Sequence, residues 1–188
     1  ANDAKKYGAE LFVLDDGWFG ARNSDTAGLG DYNVNKKKLP SGLAGLSKKI
    51  HKKGLKFGLW FEPESVNPDS DCYRAHPDWA VKCVDRDPSL GRHELILDLS
   101  KKEVQDYLIN SVSGILKSAQ IEFVKWDMNR NISDITFNDY EPGEFYHRYI
   151  LGLYRVLAEL TKMFPDVLFD GCASGGNRFD LGILSYFP

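Results

Sequence analysis

Five short apolar runs recur along the chain, and each stops at acidic, aromatic or thiol side chains. Leu11-Phe12-Val13-Leu14 runs into Asp15-Asp16, and the run over 55–61 ends at Trp60-Phe61-Glu62. A third run over 94–99 carries Asp98, a fourth over 121–127 ends in Lys125-Trp126-Asp127, and Val167-Leu168-Phe169 leads to Asp170-Gly171-Cys172. Continuous apolar runs of this length suit strands of a parallel sheet covered on both faces. The segments between several of them read as helices. Leu43, Leu46 and Ile50 recur at helical spacing over 41–53, and Gly54 follows as a stop. Ser100-Lys101-Lys102-Glu103 matches a capping box ahead of Val104, Tyr107, Leu108, Val112, Ile115 and Leu116. A long helix over 142–163 buries Phe145, Ile150, Leu153, Leu157 and Leu160. The stretch 65–92, interrupted by Pro68, Pro77 and Pro88, reads as a long loop with a short helical turn over 71–76.

Parallel strands joined by helices leave two architectures, a doubly wound sheet and a (β/α)8 TIM barrel. The unusual side chains decide between them, because all sit at the carboxyl ends of the expected strands. A barrel gathers every such end at one mouth, whereas a doubly wound sheet gathers only those near its switch point. The expectation is therefore an α/β fold, a partial TIM barrel of about five parallel βα units, truncated at both ends. The first residue is not Met, and five strands do not close a barrel, so residues 1–188 read as an incomplete catalytic barrel from a larger multidomain protein.

With 24 basic and 27 acidic residues spread along the chain, and no basic block longer than Lys36-Lys37-Lys38, nucleic acid is not an expected partner. No run approaches the roughly 20 apolar residues of a membrane-spanning helix, and no membrane partner is expected. The three cysteines, Cys72, Cys83 and Cys172, form no CxxC pair and favour a reducing compartment, which points to the cytoplasm. None of the four histidines shows metal-ligand spacing, and no Gly-rich phosphate loop follows the first strand. Neither a metal nor another cofactor is expected.

On a strand over 121–127, Lys125 and Asp127 share one face and Trp126 takes the other. A nearby ammonium favours an ionised carboxylate, so local spacing leaves two readings open: a structural ion pair, or an anion available as a nucleophile. Asp15 and Asp16 can both face the mouth only if the chain turns there, which Gly17 allows; their alternative is a turn with a solvated partner. Trp18 and Trp60 suit a sugar face or a core. Arg92 could reach a ligand or hold a carboxylate, and Asp98 reads as structural. Cys172 is a wall contact or a small buried residue. A carboxylate-bound metal from Asp15, Asp16, Glu62 and Asp127 is disfavoured by the Lys125 cation at the same spot.

The strings FVLDDGWFG (12–20), GLWFEPE (58–64), GRHELILDLS (91–100), KWDMNR (125–130) and CASGGNRFD (172–180), in that order, resemble glycoside hydrolase family 36, the retaining α-galactosidases. The resemblance implies that Asp127 is the catalytic nucleophile. It further implies that Asp15 and Asp16 bind galactose hydroxyls, that Trp60 lines the sugar site, and that Arg92, Lys125, Cys172 and Gly175 complete the pocket. Asn129, two residues past Asp127, joins the candidate substrate ligands. The family's double displacement needs a second carboxyl group about 5–5.5 Å from the nucleophile. Family pattern places this acid/base aspartate on a later strand, beyond Pro188. The implied activity is hydrolysis of terminal α-galactosides, small molecules of the raffinose and melibiose type, by a homo-oligomeric parent. Galactosyl transfer of the raffinose-synthase type uses the same intermediate. Without the acid/base, the chain would be a non-catalytic sugar-binding fragment.

Overall fold

The computed structural model describes residues 1–83, 85–135, 140–141, 143–174, 176 and 178–188. Helix α1 (Asn2–Lys6) precedes strand β1 (Leu11–Leu14), and helix α2 (Gly42–His51) leads to β2 (Lys56–Phe61). A long excursion follows, with β3 (Ser65–Val66), α3 (Asp71–Ala75), a 3-10 turn at Pro77–Trp79 and β4 (Leu95–Ile96). The chain then continues through α4 (Lys102–Lys117), β5 (Phe123–Trp126), α5 (Glu144–Met163) and β6 (Leu168–Gly171).

Four strands form one parallel sheet in the order β1-β2-β5-β6, with Phe61 level with Trp126 and Trp126 with Gly171. This is the expected α/β architecture, an unclosed barrel with four parallel strands where the sequence suggested five. The third expected strand, 94–99, is diverted. Its Leu95 and Ile96 pair antiparallel with Val66 and Ser65, and Leu97 N–H donates to the Glu64 carbonyl. Leu95, Ile96, Leu97 and Leu99 are all buried, so their apolar run is genuine, but it packs the excursion rather than the barrel wall. Burial alone does not distinguish the two placements. Strands β1 and β6 are the edges of this four-stranded sheet.

The capping box is also corrected. Helix α4 has Lys101 at its N-cap with no side-chain cap bond. Ser100 Oγ instead donates to Asp98 Oδ1 at 2.5 Å, and Ser100 N–H donates to the same oxygen at 3.0 Å. Asp98 captures the groups that would have capped the helix, a local bond that competes with capping. Its structural role agrees with its displacement from the barrel strands.

Helix α2 buries Leu43 and Ile50, and Gly54 ends the segment at φ +72°, where a side chain would be strained. Gly58 in β2 faces Phe123 in β5 so closely that an added Cβ would lie 2.9 Å from the Phe123 Cβ. Phe57, Leu59, Phe61, Val124, Trp126 and Phe169 are fully or nearly fully buried on the face opposite Trp60 and Lys125. Helices α4 and α5 pack together through Val104, Leu108, Val112, Leu153, Val156, Leu157 and Leu160, all 0% exposed. The parallel register sets the carboxyl ends of β2, β5 and β6 at one level.

Candidate active site

Sheet register builds the site. Asp127 follows β5 and its N–H donates to the Phe61 carbonyl at 2.7 Å; Cys172 follows β6 and its N–H donates to the Trp126 carbonyl at 2.8 Å. The two side chains thus leave adjacent strands at matching heights. Trp60 reaches the same point from β2, and its Nε1 donates to Asp127 Oδ2 at 3.0 Å. Asn129 Nδ2 donates to that oxygen at 2.9 Å, while Met128 N–H donates to Oδ1 at 3.0 Å.

Asp127 is only 6% exposed. Burial is the largest influence on its carboxyl and would raise the pKa. The hydrogen bonds from Cys172, Asn129, Trp60 and the Met128 N–H together outweigh it and hold the pKa below the usual carboxylate value. The sequence suggested that Lys125 would do this; the structure assigns the work to hydrogen bonds. Lys125 Nζ pairs instead with Asp15 Oδ2 at 3.3 Å. Burial pulls the Lys125 pKa down, but Asp15, followed by Asp127 and Cys172, leaves it raised.

Asp15 and Asp16 part at the turn. Gly17 adopts φ +95°, as the turn requires. Asp15 stays at the mouth with its side chain 64% exposed. Asp16 is gripped by Arg22, whose Nε lies 3.0 Å from Oδ1 and whose Nη2 lies 2.9 Å from Oδ2. Arg22 is 4% exposed, and its Nη1 donates to Asn67 Oδ1 at 2.9 Å. Asn67 Nδ2 then donates to the His93 carbonyl at 2.8 Å. This chain of bonds connects the Asp16 side of the mouth to the Arg92 turn.

Arg92 and His93 occupy a tight turn closed by mutual Gly91 and Glu94 backbone bonds, with φ of +53° and +63°. Two successive non-glycine residues at positive φ store strain that the surroundings must hold in place. The turn sets the Arg92 charge near Glu62 and Glu94. Trp18 is core, 2% exposed, with its Nε1 donating to the Trp60 carbonyl at 3.0 Å. Trp60 is itself 3% exposed and nearly parallel to Phe19, so what it offers the site is mainly its indole N–H. The Gly175 assignment lies outside the described residues.

Sequence reasoning missed Arg22, Asn67, Glu94 and a buried carboxylate hub. Glu64, 0% exposed, accepts from Trp126 Nε1 at 2.9 Å, Tyr149 OH at 2.6 Å and Arg178 Nη1 at 2.5 Å. The only local signal was two glutamates flanking Pro63 at a strand end; nothing nearby identified Arg178. Beside Asn129, a cavity of about 420 Å³ is lined by Met128, Ile132, Tyr149, Ser174 and Arg178 among others.

This constellation can be set beside known proteins. The profile of the melibiase family matches residues 1–188. The chain belongs to the melibiase family. Its 188 residues are 51% identical to alpha-galactosidase AgaA of Geobacillus stearothermophilus, covering 100% of this chain and 26% of that relative. Among solved structures, the alpha-galactosidase of Lactobacillus brevis superposes with a TM-score of 0.94 at 48% identity, covering 100% of this chain and 26% of the other. A glycoside hydrolase family 36 AgaA variant in complex with raffinose gives a TM-score of 0.93 at 51% identity, over 99% of this chain and 26% of that one. The resemblance drawn from the five motifs therefore holds, and the chain spans about a quarter of its melibiase relatives. No helix among the described residues is long and apolar enough to cross a membrane.

Proposed function

We propose that this chain carries the nucleophile half of a retaining α-galactosidase active site. Asp127 carries the reading: a nearly buried carboxylate at the end of a barrel strand, kept ionised by four hydrogen bonds, in a chain of the melibiase family. In the first displacement an Asp127 oxygen attacks the anomeric carbon of a terminal α-galactoside. The C1–O bond to the leaving group breaks as that oxygen takes a proton from the acid. In the second, water attacks C1, passes a proton to the same carboxyl group now acting as base, and releases Asp127. The donors that depress the Asp127 pKa also make it a good leaving group in this second step.

Glu62 is a poor candidate for the acid/base. It is 1% exposed, and its Oε1 already accepts the Asn129 N–H at 2.5 Å. We place the acid/base in the remainder of a larger multidomain enzyme, of which residues 1–188 form part of the barrel. Asp15 suits galactose hydroxyls as an acceptor, with Asp16 fixed beside it by Arg22. Lys125, Arg92, Asn129 and Cys172 complete the sugar pocket, and Trp60 acts on Asp127. Raffinose-type galactosides fit as substrates because relatives of high identity are solved with them. Three cysteines with no CxxC pair among them accord with a cytoplasmic location.

In the enzyme containing this chain, Asp127→Ala is expected to reduce cleavage of an aryl α-galactoside by roughly 10⁴-fold, the scale on which members of a catalytic unit fail singly. External azide restores part of the rate by attacking C1 in place of the carboxylate, giving a β-galactosyl azide. Undiminished activity without azide overturns the assignment.

A further inference from the structure

Behind Asp127 lies a second carboxyl pair that the double displacement does not use. Glu62 follows β2 and Glu94 closes the Gly91–Glu94 turn, and each is only 1% exposed. Glu62 Oε1 accepts the Asn129 N–H at 2.5 Å, and Asn129 Nδ2 in turn donates to Asp127 Oδ2 at 2.9 Å. The Glu94 carboxyl stands close enough to that of Glu62 for the two to interact directly. Its Oε2 has no hydrogen-bond partner among the described residues. Two ionised carboxylates meeting in so buried a place would repel, and a charged oxygen without a donor would forfeit its solvation. A single proton relieves both problems, since a neutral Glu94 can donate its O–H to Glu62 and carries no charge to be solvated.

We propose that Glu62 and Glu94 share one proton and serve as positioning residues for the nucleophile: the charge left on Glu62 fixes Asn129, and Asn129 fixes Asp127. This rests on the reading of Asp127 as nucleophile. The groups facing the pair come from each neighbouring segment. Arg92 lies on the same turn as Glu94, and Arg22 approaches from the loop after β1. Arg130 Nε donates to the Glu94 carbonyl at 2.8 Å, the Tyr32 hydroxyl accepts the Glu62 N–H at 3.2 Å, and Asp127 stands beyond Asn129. Burial and the Glu62 charge push the Glu94 carboxyl up to about 8, against the pull of Arg92 and Arg22. Burial first, and then Asp127, also raises Glu62, opposed by Asn129 and Arg92. Above about pH 8 the pair carries two negative charges, and their repulsion drives Glu62 off Asn129 and loosens Asp127.

The test uses the complete enzyme and a dinitrophenyl α-galactoside, whose phenolate departs without general-acid help. Ionisation of the acid/base therefore does not shape its alkaline limb. The wild type loses kcat above about pH 8. Glu94→Gln, which keeps a neutral donor toward Glu62, loses that limb. Infrared spectroscopy with isotope-labelled glutamate gives a second readout without turnover: a protonated-carboxyl band present at neutral pH, titrating near pH 8, and absent in Glu94→Gln. An unchanged limb in Glu94→Gln, or a wild type without the band, overturns the proposal. If Glu94→Gln does not fold, the wild-type band decides. Failure of the Asp127 assignment would leave the band in place, whereas absence of the shared proton would leave the Asp127→Ala result untouched.

Discussion

Glu64 ties three elements together from a position with no solvent exposure, and its removal should be felt in all three. Its Oε1 accepts from Trp126 on β5 and from Arg178 in the loop after β6, and its Oε2 accepts from Tyr149 on α5. Arg178 Nη2 already has no hydrogen-bond partner among the described residues, so the Glu64 carboxylate is the main compensation for this guanidinium. Glu64→Ala leaves a buried cation uncompensated, a change that costs about 3–5 kcal/mol. The orphaned indole N–H and phenol O–H each add to this, at about 1–3 kcal/mol for a buried donor left unmade. The effects overlap, so about 4 kcal/mol or more is expected from urea unfolding followed by tryptophan fluorescence. Glu64→Gln keeps acceptor oxygen for part of the hub and should cost about 1–3 kcal/mol. Combining Glu64→Ala with Arg178→Leu removes both charges, so the double variant should be more stable than the sum of the single changes predicts, by at least about 1 kcal/mol. A Glu64→Ala cost below about 1 kcal/mol, or strict additivity in the cycle, would refute the hub. Because Arg178 and Cys172 share the loop beyond β6, Glu64→Ala should also raise KM for an aryl α-galactoside.

Two other substitutions probe separate parts of the account. Asn129→Ala removes a donor to Asp127 Oδ2; the ionised form is the active one and is lost as pH falls, so the acid limb of kcat/KM moves to higher pH, with a rate loss of about tenfold. A pH–rate profile that does not move counts against hydrogen bonding as the cause of the low Asp127 pKa. Gly152→Ala in α5 would place a Cβ 1.8 Å from the Leu99 carbonyl oxygen. The clash should outweigh the ordinary gain from alanine in a helix and destabilise by about 1–3 kcal/mol in the same urea assay. A stability gain would show that α5 does not approach Leu99 so closely.

The parallel strands were legible because each is a continuous apolar run, and the barrel because Asp15, Glu62, Asp127 and Cys172 end those runs. The run over 94–99 misled because buried strands and buried connections use the same residues; its antiparallel pairings, with Ser65 and Val66 on one side and Ala80 on the other, tell them apart. The Ser100 cap failed because Asp98, two residues earlier, competes for the same groups. At the site, the nearness of Lys125 and Asp127 was readable from period-two alternation. Lys125 nevertheless pairs with Asp15, because register sets β1 and β5 on either side of β2. Two of the four donors that hold Asp127, Met128 N–H and Asn129, are local, but Trp60 on β2 and Cys172 after β6 come from sequence separations no local pattern encodes. Glu64 and Arg178 lie 114 residues apart.

The most direct test is to trap the covalent intermediate in the complete enzyme. A difluorogalactoside with a trinitrophenolate leaving group forms the glycosyl ester but slows its hydrolysis, because the fluorines destabilise the oxocarbenium-like transition state. Trypsin cuts after Lys125 and Arg130, so the nucleophile falls on a peptide of five residues, Trp-Asp-Met-Asn-Arg, with Asp127 its only side-chain carboxylate. The account predicts the difluorogalactosyl mass on Asp127 of that peptide, in proportion to the activity lost. The sugar on Asp15, Asp16 or Glu62, or inactivation with the peptide unlabelled, would contradict it.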